Sequence, residues 1–185
     1  VSETLADSHS YGFRPYRGCA DAIAMCFNLL ARKNSPPWIL EADIKGCFDH
    51  ISHRWLQKNI PVSGKVLKQW LQSGFIDGKR LFPTREGTPQ GGIISPTLAN
   101  MTLDGLQKAI DQALNIRTWK NGKRVNNVHD VHLVRYADDF IIVSSDPRVL
   151  EKTDKPVIIQ FLTERGLELS QENTKIVNIG QGLDF

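Results

Sequence analysis

The stretch Val131–Ser145 limits what this chain can fold into more than any other. It reads Val131-His-Leu-Val-Arg135-Tyr136-Ala137-Asp138-Asp139-Phe140-Ile-Ile-Val143-Ser-Ser145. Two apolar, β-branched runs flank a short polar centre, the pattern of a β-hairpin. Its turn then carries two adjacent carboxylates. Turns favour Asp, so an ordinary Asp-rich turn is one reading. The other is a cation site. Adjacent carboxylates repel, and a hard divalent ion such as Mg²⁺ relieves that repulsion through oxygen ligands if a third carboxylate is near.

The 185 residues suffice for one domain, or for one domain with a subdomain. No apolar run of 18 or more residues occurs, so no membrane span is expected, and no signal peptide is apparent. Three cysteines, Cys19, Cys26 and Cys47, include no CxxC pair. That argues against zinc and against a disulfide framework, and for a reducing, cytoplasmic compartment. Cys19 and Cys26 fall on one predicted helix and are expected in its core face. The net charge of +3 permits a nucleic-acid partner without demanding one. None of His9, His50, His53, His129 and His132 shows metal-ligand spacing.

Residues 1–17 are polar and turn-rich, with Arg14-Pro15 extended because a residue before Pro avoids the helical region. Spacing predicts a helix over 18–32, ended by Asn34-Ser-Pro-Pro37. Trp38–Asp43 reads as a buried strand ending in a carboxylate, and Lys45-Gly46 as a turn. A short helix over 52–59 and a second over 63–74 follow, the latter closed by Gly74. A strand is expected over 79–86 and a glycine-rich turn over Thr88–Gly92. Ser95 and Pro96 are expected as N-cap and first residue of a helix reaching 114. Residues 115–130 read as a loop or small hairpin, with Lys120, Lys123 and Arg124 on a solvated surface. Asp146-Pro147 opens a helix ending at Gly166 and kinked at Pro156. Leu167–Leu169 and Lys175–Ile179 look extended.

Asp43 is the candidate third carboxylate, since it ends one strand while the Asp pair joins two others. Three carboxylates at the end of an antiparallel sheet suit two Mg²⁺ ions about 3.5–4 Å apart, with Mn²⁺ a second candidate.

The surrounding blocks carry a resemblance. Ser10-Tyr-Gly-Phe-Arg-Pro15, Glu41-Ala-Asp-Ile-Lys-Gly-Cys-Phe-Asp49, Gly87-Thr-Pro-Gln-Gly-Gly-Ile-Ile-Ser-Pro96, Leu98-Ala-Asn100 and Arg135-Tyr-Ala-Asp-Asp139 occur in this order. Together they resemble bacterial group II intron-encoded reverse transcriptases, also called maturases. The resemblance implies an α+β right-hand polymerase palm, an antiparallel sheet backed by helices, with part of the fingers. Residues 1–37 and about 50–95 would be partly fingers, and 38–49 and 95–185 mainly palm. It further implies an RNA template (the intron RNA), a DNA primer and dNTPs as partners.

Carried over position by position, the resemblance makes Asp43 and Asp138 the principal metal ligands, with Asp139 acting less directly. Ile44 and Gln90 would meet the incoming nucleotide. Phe48 would fill the space a ribose 2′-hydroxyl needs, and Tyr136 would lie beside the primer end. Lys175 would approach the triphosphate, and Arg14 and Arg17 the template phosphates. Bland alternatives stand beside several of these: a core phenylalanine, a solvated lysine, arginines that cap or decorate a loop. Such families continue upstream into a basic fingers hairpin and downstream into a primer grip and thumb. This chain is therefore expected to be a fingers–palm fragment, weakly active or inactive alone. Competing readings are an RNA-binding splicing cofactor without polymerase activity, a CRISPR- or defence-associated reverse transcriptase, and, more distantly, a nucleotide cyclase.

Overall fold

A computed structural model describes residues 2–77, 80–82, 84, 86–88, 92–118 and 124–181. A short helix α1 (Ser2–Leu5) and a turn-rich segment lead into α2 (Cys19–Leu30). Strand β1 (Trp38–Ala42) follows, then α3 (Cys47–His50), α4 (His53–Asn59) and α5 (Gly64–Gln72). A small hairpin, β2 (Phe75–Asp77) with β3 (Arg80–Phe82), precedes α6 (Ser95–Leu103) and α7 (Leu106–Ala113). A second small hairpin pairs β4 (Arg117–Thr118) with β5 (Arg124–Val125). The long hairpin is β6 (His132–Tyr136) and β7 (Asp139–Ser144). Then come α8 (Pro147–Val149), a π-helical turn (Leu150–Asp154), α9 (Lys155–Thr163) and β8 (Lys175–Asn178).

Four strands form one antiparallel sheet in the order β6-β7-β1-β8. Side chains alternate across it, so each face meets a different helical layer. One face contributes Leu40, Ala42, Leu133, Phe140 and Ile142 to the main core, which it shares with Leu98, Leu103, Leu106, Ile110, Ile158 and Leu162 of the helices. The other face sets Val134 and Ile141 against α2 through Ala22, Met25, Cys26 and Leu29. A sheet covered by helices on its apolar faces is the expected layered solution.

Several local expectations changed for identifiable reasons. The helix foreseen over 95–114 breaks at Asp104 and Gly105. Asp104 takes an extended conformation there, and Gly105 has φ of 95°, a region open to glycine. The break frees Asp104 to reach Arg135, as described below. Ser95 is the first helical residue rather than the cap, a position held by Ile94. The kink foreseen at Pro156 takes the form of the π turn just before it, a widening that accommodates a residue without an N–H. The strand foreseen over 79–86 is, in its described part, β3, and it pairs with an unforeseen β2. Leu167–Leu169 supplies a single bridge, Leu169 to Ile44. Cys19 is exposed, not core, because α2 is apolar on more than one side and turns Ala22 and Cys26 to the sheet. Asp146 does cap α8, accepting from the Arg148 N–H at 2.9 Å. Gly74 does end α5, with φ of 71°.

Candidate active site

The carboxylates meet where β1 and the β6–β7 turn end together. Ala42 pairs with Phe140 across β1 and β7, and Tyr136 pairs with Asp139 across β6 and β7. Continuing the first register by one residue sets Asp43 opposite Asp139. Only Ala137 and Asp138 lie between the paired ends of the hairpin. Ala137 has φ of 57°, a positive value at the first position of a two-residue hairpin turn without the usual glycine. A non-glycine residue held there is strained, and such strain persists only where the surroundings impose it.

The electrostatics agree with this geometry. Partial burial raises the Asp139 carboxyl above the ordinary carboxylate range, and the Asp138 and Asp43 carboxylates push it the same way. Burial drives the Cys47 thiol up to about 12, reinforced by Asp138 and, less strongly, by Asp43 and Asp49, against the opposing charge of Arg135. Asp138 and Asp43 thus both act on one buried group. A cleft of about 500 Å³ opens beside them, lined by Asp43, Asp139, Tyr136, Glu41, Asn173 and Cys26, among others. Carboxylate oxygens suit a hard divalent cation. Among the described residues, however, no three His, Cys, Asp or Glu groups stand close enough to hold an ion together. The carboxylates are aligned by register without closing on a common point. Asp43 Oδ2 accepts a hydrogen bond from Asn173 Nδ2 at 2.9 Å.

What holds the turn was not foreseen. Arg135 lies on the core face of β6, fully buried. Its Nη1 donates to the Ala137 carbonyl at 3.0 Å and to Asn100 Oδ1 at 3.0 Å, and its Nη2 to Asp104 Oδ1 at 2.9 Å. Asn100 Nδ2 donates onward to the Gly12 carbonyl at 2.7 Å. Gly12 lies so close to the turn that a methyl group there would overlap the Ala137 main-chain nitrogen. The segment before it adds main-chain bonds, Tyr11 N–H to the Arg135 carbonyl and Arg135 N–H to the His9 carbonyl, both 2.9 Å. Three separated blocks of sequence therefore converge on one carboxylate turn. The available signal was Arg135 at an inward position of an otherwise apolar strand.

The remaining candidates divide. Phe48 is half-buried beside the core, its ring edge-on to Phe13 at 6.2 Å between centroids. Gly87 and Thr88 dock on it, the Thr88 N–H donating to the Phe48 carbonyl at 2.6 Å. Gln90 lies outside the described residues, as do Lys120 and Lys123. Tyr136 is exposed at the cleft. Lys175 pairs across the sheet with Glu41, Nζ to Oε2 3.1 Å, and stays largely exposed. Ile44 is buried in the main core, where it bridges Leu169. Arg14 turns inward: its side chain is 5% exposed and bonds Glu3 and the carbonyls of Asp7 and Ser10. Arg17 bonds the Ser8 and Ser10 carbonyls and lies over the Tyr11 ring. Both arginines brace the loop that carries Gly12, the bland alternative given for them.

The family model described as reverse transcriptase (RNA-dependent DNA polymerase) matches residues 2–183. The chain belongs to the reverse transcriptase family. It is 36% identical over 118 residues to the group II intron-encoded protein LtrA of Lactococcus lactis subsp. cremoris, covering 60% of this chain and 19% of LtrA. It is 27% identical to the putative COX1/OXI3 intron 1 protein of Saccharomyces cerevisiae, over 95% of this chain and 26% of that protein. This reverse transcriptase chain thus spans only about a fifth to a quarter of the length of these relatives. Among solved structures, telomerase from Candida tropicalis in complex with a fragment of telomeric RNA superposes with a TM-score of 0.65 at 18% identity, over 100% of this chain and 33% of that one. The palm-and-fingers fold is shared at that distance. Reverse transcriptases as a family use divalent metal ions. No helix among the described residues is long and apolar enough to cross a membrane.

Proposed function

We propose that this chain is the nucleotidyl-transfer core of a group II intron-encoded reverse transcriptase, copying an intron RNA template onto a DNA primer from dNTPs in the cytoplasm. The observation that carries it is the register at the sheet end, which aligns Asp43 with Asp139 beside Asp138. The intron-encoded relatives support the intron setting over a defence-associated one. Residues 38–49 and 95–185 form mainly palm, and 1–37 and about 50–95 partly fingers.

Asp43, Asp138 and Asp139 would hold two Mg²⁺ ions. Bound there, such ions would supply a lowered pKa for a primer 3′-hydroxyl and neutralisation of charge gathering on pyrophosphate. The protein's own contribution is position. Phe48 crowds the sugar and disfavours a 2′-hydroxyl, Tyr136 flanks the primer end, and Gln90 and Ile44 meet the nucleotide. Lys175, released from Glu41, stands by to protonate the leaving pyrophosphate. Holding the hydroxyl and α-phosphate in line is most of what phosphoryl transfer asks of a protein.

The test is Asp138→Asn in the full-length protein, read by primer extension on an RNA template and by Mn²⁺ binding in electron paramagnetic resonance. Loss of both, with an unchanged circular dichroism spectrum, is expected. Undiminished extension or Mn²⁺ binding in the variant refutes the assignment.

A further inference from the structure

From His50 to Ile76 the sequence contains no Asp or Glu. This stretch forms α4 and α5, which pack on each other and bury Leu56, Ile60, Leu67 and Leu71 in the main core. Helical spacing sets most of the cations outward. Arg54 and Lys58, one turn apart on α4, lie opposite Leu56, and Lys65 on α5 lies away from Leu67 and Leu71, while Lys68 stands at the flank of that buried face with its side chain exposed. All four are exposed, and none pairs with a carboxylate among the described residues. Gln57, Asn59, Gln69 and Gln72 are exposed between them.

A groove of about 460 Å³ runs beside α4, lined by Ser52, Arg54, Trp55, Lys58, Asn59 and Glu164. Its one carboxylate, Glu164, is engaged by Arg165 at 3.6 Å. Arg165 stacks on Trp55 and Phe161 and donates to the Thr102 carbonyl at 2.7 Å, which ties the groove wall to α6. The groove shares no lining residue with the carboxylate cleft.

We infer that the α4–α5 surface is a second nucleic-acid contact, which grips the backbone of structured RNA outside the catalytic cleft. Four unpaired cations on a rigid frame are a phosphate-binding footprint. The amides between them offer both donors and acceptors, which suits the ribose 2′-hydroxyl and favours RNA over DNA. The surface is polar throughout apart from the flank of Val66 and Trp70, which does not suit insertion into a lipid bilayer. The choice of RNA rests on the function proposed above; the anionic backbone follows from the charges alone.

The test uses Asp138→Asn protein throughout, so binding is read apart from polymerisation and either proposal can fail alone. Arg54, Lys58, Lys65 and Lys68 are changed together to Gln. A control changes Arg32, Lys33, Lys108 and Lys152 to Gln, removing equal charge from exposed sites elsewhere. Affinity for an RNA hairpin is measured against salt. The first variant should lose about 3 from the slope of log K against log salt, roughly 0.7–0.9 for each lost phosphate contact, and at least about tenfold in affinity at low salt. The control should lose far less, and a DNA hairpin of matched sequence should compete poorly. Equal losses in both variants overturn the inference, as does equal competition by DNA. A loss confined to phosphatidylserine vesicles, with RNA binding intact, overturns it too.

Discussion

Replacing Arg135 with Met separates the support of the turn from its chemistry. The side chain is fully buried, and its partners Asp104 and Asp7 are both mostly shielded from water. Removing one member of a buried ion pair leaves a carboxylate uncompensated, at a cost of about 3–5 kcal/mol. The Ala137 carbonyl and Asn100 Oδ1 lose a donor in the same step. For a domain of this size each kcal/mol moves Tm by about 2–4 °C, so a fall on the order of 10 °C is expected at pH 7. The pH dependence is diagnostic. Burial already raises the Asp104 and Asp7 carboxyls, and the Arg135 charge pulls them back down. Without it their folded-state pKa values rise further above the unfolded ones. The variant's deficit is then largest well above the ordinary carboxylate range and shrinks as pH falls, leaving below the unfolded pKa only the part due to the hydrogen bonds lost at Ala137 and Asn100. Urea denaturation followed by circular dichroism from pH 3.5 to 7.5 measures this. A deficit under about 1 kcal/mol at pH 7, or one independent of pH, refutes the account of Arg135 as the buried charge that anchors the turn.

Two further outcomes follow from the same geometry. Gly12→Ala places a methyl against the Ala137 main chain, which cannot rotate away, so about 2–3 kcal/mol of stability should be lost; a thermal midpoint unchanged within a degree would show that the loop relaxes freely. Asp139→Asn should raise Tm slightly at neutral pH, since it removes a carboxyl whose folded pKa is raised by partial burial and by Asp138 and Asp43. Its exposure screens the effect to about 0.5 kcal/mol, and the gain should fade as pH drops through the unfolded carboxylate pKa; a gain that persists at pH 3 would assign it to something other than charge.

Much of the site was legible because it is local. The β-branched runs around Asp138 and Asp139 specify a hairpin through period-two alternation, and a hairpin places its own turn residues. Asp146-Pro147 and Gly74 mark helix ends through backbone chemistry that needs no distant partner. The ordered motif blocks identified the family for the same reason, as each is a contiguous string.

What the sequence left open concerns pairs distant along the chain. Asp43 meets Asp139 only because β1 lies between β7 and β8 at one register, and a slip of one residue would turn it to the other face. Helical periodicity ran straight through Asp104. The buried Arg135 guanidinium outweighed it, because an unpaired charge in the core costs far more than an interrupted helix. Arg14 and Arg17 read equally well as phosphate contacts or as braces until the loop closed around them. Local pattern determined most of which residues are strand, turn and helix, the break at Asp104 and Gly105 and strand β2 excepted. Packing alone decided which charges are shared, because burial and its electrostatic cost exist only once the layers have met.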